Sequence, residues 1–113
     1  MNYQVEWHPA TVDDLKVFSP RFRKAIKRKV ENIANNIPVS LKLRTVTLIK
    51  GQDTMAVRGT LYELDIASGE KVAFSIEDDK KILTVYMVGK HEYAYSNYLR
   101  AASERLKEDN SKT

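Results

Sequence analysis

Residues 68–92 read SGEKVAFSIEDDKKILTVYMVGKHE, and this stretch decides the fold. Val72, Phe74 and Ile76 recur at period two, so they share one face of a strand. EDDK at 77–80 is a turn, and residues 82–88 after it are almost continuously apolar, as a central strand covered on both faces requires. ASGE at 67–70 is an earlier turn. It leads back to a strand expected over 55–66, in which Tyr62, Leu64 and Ile66 share a face while Glu63 and Asp65 point the other way. The three segments make an antiparallel meander.

Toward the N-terminus, Tyr3, Val5 and Trp7 alternate with Gln4 and Glu6, which predicts an opening strand with one buried face that Pro9 ends. Thr11 and Asp14 have the spacing of a capping box, so a short helix is expected from about Val12 to Phe18. Ser19 and Pro20 repeat the start signal for a second helix. There Phe22, Ile26, Val30, Ile33 and Ile37 form an apolar stripe that must cover a sheet. Asn35, Asn36 and Pro38 close it. Residues 39–52 alternate like a strand but are equally an extended connection, with their pairing open. Tyr95, Leu99, Ala102 and Leu106 predict a last helix starting at about Ser96, and residues 109–113 read as a frayed tail. The expected architecture is a single α+β domain over residues 1–108. It consists of an N-terminal strand, a two-helix hairpin, an antiparallel sheet meander and a C-terminal helix.

A chain of 113 residues supports one hydrophobic core. The absence of cysteine excludes disulfides, thiolate zinc sites and a cysteine nucleophile, and leaves only His8 and His91 to offer imidazole. No apolar run is long enough to span a bilayer, and the first residues lack the pattern of a signal peptide, so the expected location is cytoplasmic. The net charge of +4 permits an anionic partner. Arg21, Arg23, Lys24, Lys27 and Arg28 concentrate that charge on the second helix, either as a solvated face or as a surface for RNA. Residues 85–98, VYMVGKHEYAYSNY, place Lys90, His91 and several tyrosines where an apolar strand stops, and so form a candidate site.

The order of elements and the words within it resemble the RelE/ParE superfamily of bacterial toxins from toxin–antitoxin modules. The resemblance covers nearly the whole folded chain. Residues 68–92 are its most specific part, similar to the family's Gly-x-Arg hairpin, two consecutive strands and Val-Gly-Lys-Arg-Glu ending. LIKG at 48–51 is similar to the Leu-x-Gly words that precede the sheet.

The resemblance to the RelE branch implies a toxin that is a ribosome-dependent mRNA endoribonuclease without metal or cofactor. The ribose 2′-hydroxyl is the nucleophile, and the protein supplies orientation, a proton acceptor, charge neutralisation and a proton for the leaving oxygen. Lys71 stands where the family often has arginine and would neutralise the phosphate; otherwise it is an exposed lysine at a strand start. His91 stands at the arginine of Gly-Lys-Arg-Glu, either as a proton shuttle, as a helix-start residue bonded to backbone, or as a stacking group. Tyr95 and Tyr98 bracket the position of a family tyrosine, and Tyr95 also lies on the core stripe of the last helix. Glu63 and Asp65 depart from the lysines of the nuclease branch. They repel a phosphodiester unless one of them is the general base, with Arg58 the nearest compensating cation in sequence. The implied partners are a cognate antitoxin, the ribosome and mRNA, with no membrane. The alternative readings are a ParE-like inhibitor of DNA gyrase or a non-catalytic RNA- or antitoxin-binding module.

Overall fold

The structure, a computed structural model, describes residues 3–37, 46–48, 61–66, 70–90 and 95–111. Its elements are β1 (Gln4–Trp7), α1 (Thr11–Lys16), α2 (Pro20–Asn35), β2 (Val46–Leu48), β3 (Leu61–Asp65), β4 (Glu70–Glu77), β5 (Ile82–Lys90) and α3 (Tyr95–Ser111). They build an α+β fold whose five-stranded sheet has the order β1-β5-β4-β3-β2. β2 through β5 pair antiparallel in sequence order, and the pairings among β3, β4 and β5 are those the meander pattern predicts.

The sheet is mixed rather than wholly antiparallel, because β1 pairs parallel with β5. Parallel neighbours cannot be joined by a tight turn, so the chain makes a long excursion through α1, α2 and the first three strands of the meander before returning. Of residues 39–52, the described strand Val46–Leu48 pairs with β3 and answers part of the open question there. Of the strand expected over 55–66, Leu61–Asp65 is seen as β3, and residues 55–60 lie outside the described residues.

α2 begins as its sequence dictates: Ser19 Oγ accepts from the Phe22 N–H at 3.2 Å and Pro20 takes the first turn. Its stripe of Ile26, Val30, Ile33 and Ile37 is buried against Leu64, Val72, Phe74, Leu83, Val85 and Val88 on one face of the sheet. Each such side chain contributes about 1.5–3 kcal/mol of burial. The other face carries Leu61, Ala73 and Tyr86, which pack with Ala102 and Leu106 of α3. Ile82–Lys90 therefore has a cover on both sides, as its apolar composition requires.

A bulge lies in this central strand. Ala73 pairs with Met87 but Phe74 with Val85, leaving Tyr86 as the extra residue. The alternation slips by one there, so Tyr86 and Met87 both join the α3 layer while Val85 and Val88 both join the α2 layer.

Three local expectations are corrected. The Thr11–Asp14 capping box does not form: Ala10 holds the cap position without a side-chain hydrogen bond, and α1 ends at Lys16. Thr11 Oγ1 instead donates to the His8 carbonyl at 2.6 Å, and Asp14 bonds to residues distant in sequence. The tail expected from Asp109 is helical as far as Ser111, because Asp109 holds a sheet residue, Tyr86. The turn after β4 reaches Lys81, whose φ of 58° is left-handed. Its carbonyl accepts from the Gln4 N–H at 2.8 Å, and its ammonium lies 5.2 Å from the Tyr3 ring centroid, so the turn is pinned to the N-terminal strand.

Candidate functional site

The hairpin of β3 and β4 sets Asp65 opposite Lys71, and the pairing of β4 with β5 sets Lys71 opposite Gly89. Glu63, two residues before Asp65, shares their face. That face is the α3 side of the sheet, because Lys71 alternates with Val72 and Phe74 of the α2 layer. The Lys71 ammonium forms a salt bridge with the Asp65 carboxylate and lies 3.5 Å from Glu63 Oε1. The side chains of Glu63 and Lys71 are 11% and 15% exposed, that of Asp65 74%. Burial pulls the Lys71 ammonium toward losing its proton, but the hydrogen bond it donates to Asp65 and the charges of Glu63 and Asp65 outweigh it and raise its pKa.

This arrangement revises the expected role of Lys71. It is held by the two carboxylates that depart from the nuclease pattern, and is their counter-ion among the described residues. Taken by themselves, these three side chains carry one net negative charge. Glu70, on the opposite face and in register with Lys90, is also buried, and its Oε1 has no hydrogen-bond partner among the described residues.

Other expected site residues are placed only in part. His91 and Arg58 lie outside the described residues, and so do the side chains of Tyr95, Tyr98 and Lys90. Tyr95 and Tyr98 stand in the first turns of α3. On α2, Arg21, Lys24, Lys27 and Arg28 are exposed. Arg23 is half-buried and its Nε donates to the Phe18 carbonyl at 3.1 Å, so it closes the α1–α2 junction instead of extending the cationic face. Because α2 covers one face of the sheet and Lys71 sits on the other, the basic helix and the lysine–carboxylate cluster are not one site. His8, the other imidazole, is buried with its Nδ1 accepting from the Ala10 N–H at 3.1 Å and its ring 5.7 Å from that of Tyr86.

A crystal structure of an archaeal RelE–RelB complex from Pyrococcus horikoshii OT3 contains a chain that superposes on this one with a TM-score of 0.63, at 17% identity, over 83% of this chain and 100% of that one. The chain has the RelE toxin fold. A structure of the E. coli toxin RelE, a mutant in the free state, is similar with a TM-score of 0.57 and 17% identity, over 88% of this chain and 97% of that one. No protein-family model and no curated protein matches the sequence.

In this RelE-like fold a network that the sequence pattern does not reveal fixes α3 to the sheet. Arg105 Nη1 donates to Asp14 Oδ2 at 2.7 Å and to the Tyr86 carbonyl at 2.8 Å, while Nη2 reaches Asp14 Oδ1 at 3.3 Å. Asp14 Oδ2 also accepts from the Val88 N–H at 3.1 Å. Tyr86 donates its hydroxyl to Asp109 Oδ2 at 2.7 Å. α1, β5 and α3 are thereby joined around the bulge. Only the position of Arg105 beside the apolar Leu106, on the edge of the α3 stripe, hinted at an inward role.

Three of the polar groups hold their protons more tightly in the folded chain. The Tyr3 hydroxyl is pushed up from 10.0 to about 12 by its hydrogen bond to Asp78 and by burial. Tyr86 is raised further still, by burial and then by Asp109, and Lys71 is raised as described. For such groups the stability contribution is complete below the unfolded pKa and is lost as pH rises through the folded one. Urea-unfolding stability is therefore expected to hold to about pH 10 and then to fall, for Tyr3 through about pH 12. The fall is expected to be shallower in Tyr3→Phe. An alkaline limb unchanged by that substitution contradicts the assignment.

Proposed function

We propose that the chain is the toxin of a toxin–antitoxin pair and a metal-independent endoribonuclease that cuts mRNA on the ribosome. One observation carries the reading: a carboxylate held at low exposure, Glu63, lies 3.5 Å from the ammonium of Lys71. A proton acceptor beside a cation is what ribose 2′-hydroxyl attack needs. Glu63 takes the 2′-hydroxyl proton, the oxygen forms a bond to phosphorus, and Lys71 neutralises the charge that grows on the phosphoryl oxygens. The bond from phosphorus to the 5′-oxygen breaks and that oxygen takes a proton, leaving a 2′,3′-cyclic phosphate and a 5′-hydroxyl. His91, which follows β5 in the sequence, and Tyr95 and Tyr98, in the first turns of α3, are the proposed sources of that proton and of base stacking, and Arg58 of further cationic support.

The separation of α2 from this cluster supports a large polyanionic partner. RNA lying at Lys71 cannot also lie along α2, whereas a ribosome reaches both sides of a small domain. Arg21, Lys24, Lys27 and Arg28 serve here as anchors on ribosomal RNA, which also implies a cytoplasmic location. Ribosome affinity is expected to fall with salt, and the log–log slope is expected to shrink by about 0.7–0.9 for each of the four exposed α2 cations removed. A slope unchanged after reversing three of them would return the helix to a solvated face. The RelE–RelB complex supports a cognate antitoxin as the protein partner.

Primer extension on translated messages after induced expression tests the activity, with translation-dependent breaks as the expected result. Intact messages together with trapped double-strand DNA breaks overturn it in favour of a gyrase inhibitor. The net negative charge of the cluster favours that second reading, because it repels any phosphodiester that does not first displace a carboxylate.

A further inference from the structure

Glu63 and Asp65 share the Lys71 ammonium, but the protein holds them differently. The Glu63 side chain is 11% exposed, so it gains little water by leaving the ammonium. The Asp65 side chain is 74% exposed and regains water when it lets go. It is the last residue of β3, directly across from Lys71, while the position across from Lys71 on the other side is Gly89, which has no side chain to offer the ammonium a competing contact. An incoming anion therefore meets one carboxylate that yields and one that stays.

We propose that Asp65 is an internal competitor for the phosphate-binding ammonium of Lys71, a carboxylate that holds the site closed until a phosphodiester displaces it, while Glu63 keeps its place beside the ammonium. The proposal rests on the phosphodiester reading of the cluster given above. Both exchanging groups are monoanions, so the swap conserves charge at Lys71 and leaves the released Asp65 in water beside the incoming phosphate. Affinity for loose RNA is thereby lowered, and RNA delivered by a larger complex is favoured over RNA met in solution.

The test uses the full chain and a short single-stranded RNA with 2′-O-methyl riboses, which lacks the nucleophile and stays uncut. Its affinity is measured by fluorescence anisotropy for the wild type, Asp65→Asn, Lys71→Gln and the double variant. Asp65→Asn is expected to bind about two- to fivefold tighter, the strength of an exposed ion pair. The gain is expected to vanish when Lys71→Gln is also present. An equal gain with and without Lys71→Gln means that Asp65 merely repels RNA, and overturns the proposal. So does weaker binding by Lys71→Gln with no gain in Asp65→Asn, an outcome that leaves the phosphodiester reading standing. Lys71→Gln binding as tightly as wild type, or no binding by any form at millimolar RNA, overturns both. Should Lys71→Gln fail to fold, the ammonium ¹⁵N signal of Lys71 is followed during RNA titration of the wild type and Asp65→Asn. Half-saturation at lower RNA concentration in Asp65→Asn supports the proposal, and equal concentrations overturn it.

Discussion

Asp14→Ala is expected to lower the unfolding free energy by about 3–5 kcal/mol, the cost of breaking a largely buried ion pair by deleting one partner. The loss exceeds that of an ordinary surface pair because the Asp14 and Arg105 side chains are only 10% and 20% exposed. Deleting the carboxylate strands the Arg105 guanidinium, which among the described residues keeps its bond to the Tyr86 carbonyl alone, and leaves the Val88 N–H without the acceptor seen here. Urea denaturation followed by circular dichroism measures the effect. A double variant, Asp14→Ala with Arg105→Leu, is expected to lose less than the sum of the single changes, because no charge is then left unpaired. Wild-type stability in Asp14→Ala removes this network as the anchor of α3.

Glu63→Ala and Lys71→Ala are each expected to slow RNA cleavage by about a hundredfold or more, roughly 2.7 kcal/mol of transition-state stabilisation. The two losses differ in character. Without Glu63 the nucleophile keeps its proton, so the deficit should shrink at higher pH, where hydroxide takes over. Without Lys71 the deficit should be insensitive to pH in that range. Lys71→Arg preserves the charge and can reach both carboxylates, so it is expected to retain most activity. Full cleavage by either alanine variant, with an unaltered circular dichroism spectrum, moves the chemistry away from this cluster.

Much of the fold was legible because its layers follow simple periods. The stripe of Ile26, Val30, Ile33 and Ile37 and the alternation of Val72, Phe74 and Ile76 each name a buried face without reference to the rest of the chain. The pairing of Asp65 with Lys71 was also readable in principle: the two lie three residues either side of Ser68, so a hairpin centred there must set them face to face. What stays hidden is long-range choice. Period two gives β1 a buried face but not a partner, so its parallel pairing with Ile82–Val85 could not be read. Thr11 and Asp14 have the spacing of a cap, but Asp14 gains more from Arg105 and the Val88 N–H than from a local amide, and the tertiary contact wins. The bulge at Tyr86 was masked by composition, since a run that is apolar throughout looks the same in either phase. For the site, the sequence showed a clash between two carboxylates and a cationic function. Only the three-dimensional pairing shows that the carboxylates take the lysine for themselves.

The parallel pairing of Gln4 with Ile82 carries a consequence for synthesis. The first strand made has to wait for the last strand made, and at about 5–20 residues per second that wait lasts several seconds. Neither β1 nor the β5 side of the core can close on a nascent chain until the C-terminal third has emerged, although the β3–β4 hairpin can form earlier from local contacts. A sheet that closes through a parallel pair of this span is thus kept incomplete until β5 has been made.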